Sequence, residues 1–134
     1  MTFVLDASAT LAFAFPDERD DEARALVERV RTGGAIAPLL WAWEIENVVT
    51  SAVRQKRLSP VAARTLLAQL AALPVELDAG VAFGAEITLA QRYRLTIYDA
   101  LYLELAVRRN ASLATRDRRL AQAARDLGLE ALGS

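Results

Sequence analysis

The segment TFVLDASATLAFAF, residues 2–15, contains one acid, Asp6, between two apolar runs. Residues 2–5 are typical of a short strand, and residues 7–15 predict a short helix that stops near Pro16. A strand that leads directly into a helix is typical of α/β folds, whose parallel strands need crossover connections. Asp6 then lies at the carboxyl end of a first strand, where open parallel sheets bind ligands.

The rest of the chain alternates in the same way between short apolar runs and helical segments. Four more strands are predicted at residues 35–37, 74–77, 111–114 and 129–132. Further helices are predicted at about 21–31, 38–57, 60–73, 79–93, 96–109 and 116–127, with Pro38 in a first turn. Pro74 indicates either the start of its strand or a strand at the edge of the sheet. The pattern predicts a short, mainly parallel five-stranded sheet within one domain, residues 1–134.

Composition restricts the chemistry that this chain can perform. With 54% hydrophobic and 25% charged residues, the sequence is typical of a globular protein. It contains no cysteine and no histidine, which excludes disulfides, thiolate zinc sites, cysteine nucleophiles and Ser-His-Asp triads. Catalysis would therefore depend on carboxylates, hydroxyls, amides, arginine and a hard metal ion such as Mg²⁺.

The sequence contains no apolar run long enough to span a bilayer. Its N-terminus has no basic flank and reaches Asp6 at once, unlike a secretory signal. We therefore expect a cytoplasmic protein without a membrane partner.

Four acids stand out by position. Asp6 ends the first strand, Asp117 follows the strand that contains Leu113, Asp99 lies in a helical first turn, and Glu44 lies about two turns into the third helix. Two like charges about 5 Å apart repel by roughly 3 kcal/mol at an effective dielectric near 20. If the four converge, they would bind protons or cations, and Mg²⁺ or Mn²⁺ suits oxygen ligands.

Each acid also has a purely structural interpretation. Asp6 is a possible cap of the first helix, and Thr96-x-x-Asp99 resembles a capping box. Asp117 is likewise typical of a helical first turn, with Thr115 as the cap. Helical periodicity does not distinguish Glu44 from Glu46, because apolar residues flank both polar stripes.

Positive charge is concentrated late in the sequence. Residues 92–125 contain eight arginines against three acids, while the whole chain has a net charge of −1. This segment could bind a polyanion, with Arg116 and Arg118 nearest to Asp117, or it could be a solvated helix face.

Trp41 and Trp43 stand two residues apart, so one helix face cannot bury both. We expect one of them to face a dimer or protein partner, unless both are buried between the sheet and a neighbouring helix.

Four landmarks occur in a fixed order: Val4-Leu5-Asp6-Ala7-Ser8, Pro38 with Glu44-x-x-Asn47, Tyr98-Asp99-Ala100-x-Tyr102, and Leu113-Ala114-Thr115-x-Asp117. In this order, and over nearly the whole chain, the sequence resembles the PIN-domain family and its small toxins of the VapC type. The resemblance implies a three-layer α/β/α fold. It also implies an acidic cluster that binds Mg²⁺ or Mn²⁺, made of Asp6, Glu44, Asp99 and Asp117.

The resemblance further implies a toxin of a toxin–antitoxin pair, an endoribonuclease that hydrolyses RNA with a metal-activated water. Asp6 and Asp99 would hold the ion most directly. Ser8, Asn47, Thr115, Arg116 and Arg118 are candidates for supporting or substrate contacts, although Ser8 and Thr115 could be helix caps and Asn47 a solvated residue. Expected partners are tRNA or ribosomal RNA, a VapB-type antitoxin and a second copy of the chain. The toxin and the antitoxin together are expected to form a heterotetramer or a larger assembly.

Other classes fit less well. A dehalogenase-type phosphatase needs a second acid where Ser8 stands and a lysine late in the chain, but Lys56 is the only lysine. A phospho-acceptor receiver needs the same late lysine. A catalytically silent PIN-like module that binds RNA or protein remains the alternative.

Overall fold

The computed structural model describes residues 2–80 and 82–133, which contain five strands and seven helices. The strands are β1 (Phe3–Leu5), β2 (Ala35–Pro38), β3 (Val75–Asp78), β4 (Ser112–Ala114) and β5 (Ala131–Leu132). The helices are α1 (Ala7–Ala14), α2 (Asp21–Gly33), α3 (Leu40–Arg54), α4 (Pro60–Ala71), α5 (Ala85–Tyr93), α6 (Ile97–Arg109) and α7 (Arg118–Asp126). The predicted order of elements is confirmed, and most bounds differ by only a few residues.

The five strands form one sheet in the order β3-β2-β1-β4-β5, and all four pairings are parallel. The chain adds β2 and then β3 on one side of β1, and it then crosses back to add β4 and β5 on the other side. Because parallel crossovers are right-handed, α1–α4 cover one face of the sheet and α5–α7 the other. The result is the predicted three-layer α/β/α fold, whose strand order reverses between β1 and β4.

The core lies around the central strands. All three residues of β1 are buried, as are Leu113 and Ala114 of β4, because helices cover both faces of the sheet. Helix α6 packs across β1, β2 and β4 and buries Leu103 and Leu105. Within the described residues, no helix has both the length and the apolar character needed to cross a membrane.

Pro38 corrects the prediction for the third helix. It is the last residue of β2 and pairs with Asp78, whereas α3 begins at Leu40. Proline has no N–H to give to the ladder, and the next residue, Leu39, donates its own N–H to the Asp78 carbonyl at 3.0 Å. A strand can therefore end on this proline without losing its last hydrogen bond.

The fifth helix is shorter than the predicted span 79–93, because it begins only at Ala85. Gly80 has a φ of 67°, and its N–H donates to the Asp78 carboxylate at 2.8 Å, which forms a turn directly after β3. Gly84 then precedes the helix in a non-helical conformation. Val81, also in the predicted span, lies outside the described residues.

The seventh helix also begins later than predicted, at Arg118. The sequence suggested Thr115 as its cap, but Asp117 is the N-cap residue and accepts the Leu120 N–H at 3.0 Å. The Thr115 hydroxyl is directed instead toward the end of β1, where it contacts Asp6.

Candidate active site

Asp6 is anchored at the carboxyl end of β1, and only 4% of the residue is exposed. One carboxylate oxygen accepts the Ala9 N–H at 2.8 Å and thereby caps α1, and it also accepts the Ser8 hydroxyl at 2.8 Å. The other oxygen accepts the Thr115 hydroxyl from the end of β4. The structural interpretation of Asp6 as a cap is therefore correct, and it coexists with a position at the switch point of the sheet.

Ser8 and Thr115 hold this carboxylate in a fixed orientation. The Ser8 oxygen accepts the Arg116 N–H at 2.9 Å, and the Thr115 oxygen accepts the Asp117 N–H at 3.0 Å. Each hydroxyl has one proton, and Asp6 is the charged acceptor for both. The loop after β4 is thus tied to the end of β1 through two hydroxyl groups.

A second set of contacts fixes the Asp6 backbone. The fully buried Thr10 donates its hydroxyl to the Asp6 carbonyl at 2.7 Å and accepts the Trp41 indole N–H at 2.8 Å. Sequence reasoning missed this contact. The signal was a threonine four residues after Asp6 in an otherwise apolar helix. These two hydrogen bonds connect α1 to α3, and Trp41 is the buried member of the tryptophan pair.

Glu44, rather than Glu46, is the α3 acid directed inward. Its carboxylate accepts the Tyr102 hydroxyl at 2.5 Å, whereas Glu46 is exposed. Tyr102 is 2% exposed, and burial together with the nearby carboxylate raises its pKa. Tyr102 was not predicted as a site residue, although it stands one turn after Asp99 on the same helix.

Asp99 and Asp117 line one open hollow of about 390 Å³. Asp99 lies in the first turn of α6, where its N–H is bonded to the Thr96 hydroxyl at 3.1 Å, as the capping pattern predicted. Asp117 is exposed at the start of α7. The hollow is also lined by Arg94, Leu95, Thr96, Arg118 and Arg119.

The pKa values of three acids are raised by burial and by repulsion between neighbouring carboxylates. Burial, with a smaller contribution from the Asp99 charge, raises the pKa of Asp6 to about 6 despite three stabilising hydrogen bonds. Burial and the Asp99 charge also raise the pKa of Glu44. The pKa of Asp99 is raised by burial and by the Asp117 charge. Asp99 therefore lies within electrostatic range of the other three predicted acids.

The donor set fits a hard divalent cation by its chemistry. Within residues 2–80 and 82–133, neither arginine nor lysine forms an ion pair with any of the four acids. Carboxylate oxygens near one another without a matching positive charge favour such an ion. In the same described residues, no three Asp or Glu side chains are already arranged to hold one metal ion. Coordination of one ion by three of these acids would therefore require side-chain movement, whereas one or two carboxylates with waters also suit Mg²⁺.

The remaining predicted residues are placed differently from one another. Asn47 is exposed one turn after Glu44, and Arg118 is exposed at the edge of the hollow. The Arg116 guanidinium forms two hydrogen bonds with Asp20, at 2.6 and 3.0 Å. Arg116 thus has an acidic partner, and its contact with a phosphate stays a prediction.

Sequence comparison agrees with this architecture. A model of the PIN domain matches residues 3–126. The chain belongs to the PIN-domain family. It is also 33% identical over 126 residues to Ribonuclease VapC3 of Pyrobaculum aerophilum, covering 91% of this chain and 94% of that protein. This similarity makes it a VapC-type PIN-domain protein.

The fold is also found among solved structures. The crystal structure of PAE2754 from Pyrobaculum aerophilum superposes with a TM-score of 0.73 over 98% of this chain and 83% of the other. The two sequences are 23% identical. The similarity therefore confirms the fold of this PIN-domain protein. Its chemistry has to be inferred from the site residues.

Proposed function

We propose that this PIN-domain protein is a toxin ribonuclease that hydrolyses RNA phosphodiester bonds with the help of Mg²⁺ or Mn²⁺. The observation that carries the proposal is Asp6. It is a buried carboxylate with three hydrogen-bond donors, at the switch point of the sheet and within range of the Asp99 charge. The similarity to Ribonuclease VapC3 supports RNA as the substrate.

In this proposal Asp6, Asp99, Asp117 and Glu44 hold the ion. Ser8 and Thr115 keep the Asp6 carboxylate oriented, and the Tyr102 hydroxyl does the same for Glu44. These fixed donors reduce the reorganisation that binding would otherwise require. Asp117 keeps one oxygen on the Leu120 N–H.

A bound divalent ion would offset charge on the phosphate and lower the pKa of a nearby water. With no histidine in the chain, a carboxylate is a candidate to accept the proton from that water. Asp99 is a candidate for this step, because it is only half-buried and lines the open hollow.

The test is cleavage of tRNA and ribosomal RNA by the purified chain. We expect cleavage with Mg²⁺ or Mn²⁺, none with excess chelator, and recovery when the ion is returned. RNA binding without cleavage under every ion condition would instead indicate the silent binding module.

We also propose a VapB-type antitoxin partner and a homodimer in the cytoplasm. Trp43 is 62% exposed and Tyr98 is 59% exposed, and together with Leu39 and Leu101 they line one largely apolar groove. Exposed aromatic surface of this kind is typical of protein interfaces.

Trp43→Ala is expected to lower the molar mass measured by light scattering from dimer to monomer. Val61→Ala is the control, since Val61 is 73% exposed on α4 and should leave the mass unchanged. An unchanged mass for Trp43→Ala would show that this groove is not part of the dimer interface.

A further inference from the structure

Three arginines line the hollow beside Asp99 and Asp117. They are Arg94, Arg118 and Arg119. Among the described residues, none of these three guanidinium groups forms an ion pair with a carboxylate. Their positive charge is therefore available to a ligand that enters the hollow.

Other arginines of the basic segment are matched by acids. The pairs are Arg108 with Asp78 and Glu104, Arg109 with Glu76, and Arg116 with Asp20. The tertiary structure thus separates these six arginines of the basic segment. Three are paired with neighbouring acids, and the other three lie next to the candidate site.

Arg94 has an unusual backbone for its position. It ends α5 in the left-handed conformation, with φ 55° and ψ 44°, where glycine is the usual residue. The Arg119 guanidinium donates to the Arg94 carbonyl at 3.2 Å and so joins the start of α7 to the end of α5. A guanidinium has five N–H donors, so Arg119 retains others for a ligand.

Short segments place the acids and the arginines together. Residues 94–99 contain Arg94 and Asp99, separated by the cap residue Thr96. Residues 117–119 contain the cap residue Asp117 and the two following arginines. Because each segment is held at a helix end, the spacing between the backbones of the acids and the arginines is fixed by the fold.

We propose that Arg94, Arg118 and Arg119 bind the RNA phosphates that flank the bond cleaved at the acidic site. The planar guanidinium fork matches phosphate oxygens with two parallel hydrogen bonds. Positive charge beside Asp99 and Asp117 also offsets the repulsion that a polyanion meets there. The inference rests on the proposed ribonuclease function, and it adds Arg94 and Arg119 to the arginines predicted from the sequence.

The test measures RNA binding separately from cleavage. Fluorescence anisotropy follows a labelled single-stranded RNA of about 20 nucleotides in roughly 50–200 mM salt, in an Asp6→Asn background with chelator. Arg94→Gln, Arg118→Gln and Arg119→Gln are each expected to weaken binding several-fold on every RNA sequence. Each should also reduce the slope of log affinity against log salt by about 0.7 per lost phosphate contact.

Two controls carry the same change of charge. Arg64→Gln alters an exposed arginine on α4, across the sheet, and Arg108→Gln alters an arginine already paired with acids. The inference is overturned if the three test variants bind like these controls, or if the background protein binds no RNA at low salt. Cleavage by the wild type is measured in parallel. If it fails while the arginine variants weaken binding as expected, the phosphate contacts stand and only the ribonuclease proposal is lost.

Discussion

Replacing Asp6 with asparagine is expected to lower the rate of RNA cleavage by at least about 1,000-fold, because several kcal/mol of transition-state stabilisation are lost with a metal ligand. The substitution keeps the side-chain shape and removes the negative charge. The Ala9 N–H and the Ser8 hydroxyl still have an acceptor in the amide oxygen. The Thr115 hydroxyl can turn to accept the new N–H group.

The same substitution is expected to stabilise the metal-free protein by roughly 1–2 kcal/mol near pH 7, because it removes an unpaired buried charge. Cleavage assays and chemical denaturation of one preparation measure both effects. Asp21→Asn is the matched control, since it changes an exposed acid whose ion pair with Arg24 contributes little. Loss of cleavage together with lower stability would indicate misfolding, and retained cleavage would contradict the role of Asp6.

The unfolding free energy of the metal-free wild type is expected to fall as pH rises from about 4 to about 7. The folded pKa of Asp6 is about 6, against 3.8 ordinarily, so the folded state binds more protons than the unfolded state within this window. That difference corresponds to about 3 kcal/mol of stability lost across the window. The raised pKa values of Glu44 and Asp99 act in the same direction.

Acids with lowered pKa values act in the opposite direction, chiefly below about pH 4. Salt-bridged Asp20 and Asp78 are the main examples. Asp20 is exposed and screened by solvent, whereas the Asp78 side chain is only 15% exposed. Denaturation curves at a series of pH values with chelator measure the slope, and Asp6→Asn should flatten it. Mg²⁺ at neutral pH should stabilise the wild type more than Asp6→Asn, since a ligand stabilises the state that binds it. A wild-type curve without this slope would contradict the burial of a charged Asp6.

Local sequence signals predicted most of the fold. The β1 strand ending at Asp6, the caps at Asp6 and Thr96, and the edge position of β3 after Pro74 all agree with the structure. These features depend on residues within one or two turns, where side-chain chemistry and backbone preference suffice. The helix starts that differ from the prediction, near Pro38 and near Gly80, depend on pairing with β3 and on the turn that follows β3.

The candidate site is different because its contacts join distant parts of the chain. Thr115 reaches Asp6, and Tyr102 distinguishes Glu44 from a glutamate two residues away. Thus the sequence by itself determined the order of the elements and the positions of the four acids along them. Tertiary structure decided which of those acids are buried near one another and which arginines have partners. The physical reason is that burial and charge pairing depend on distance in space, which helical or strand periodicity does not encode.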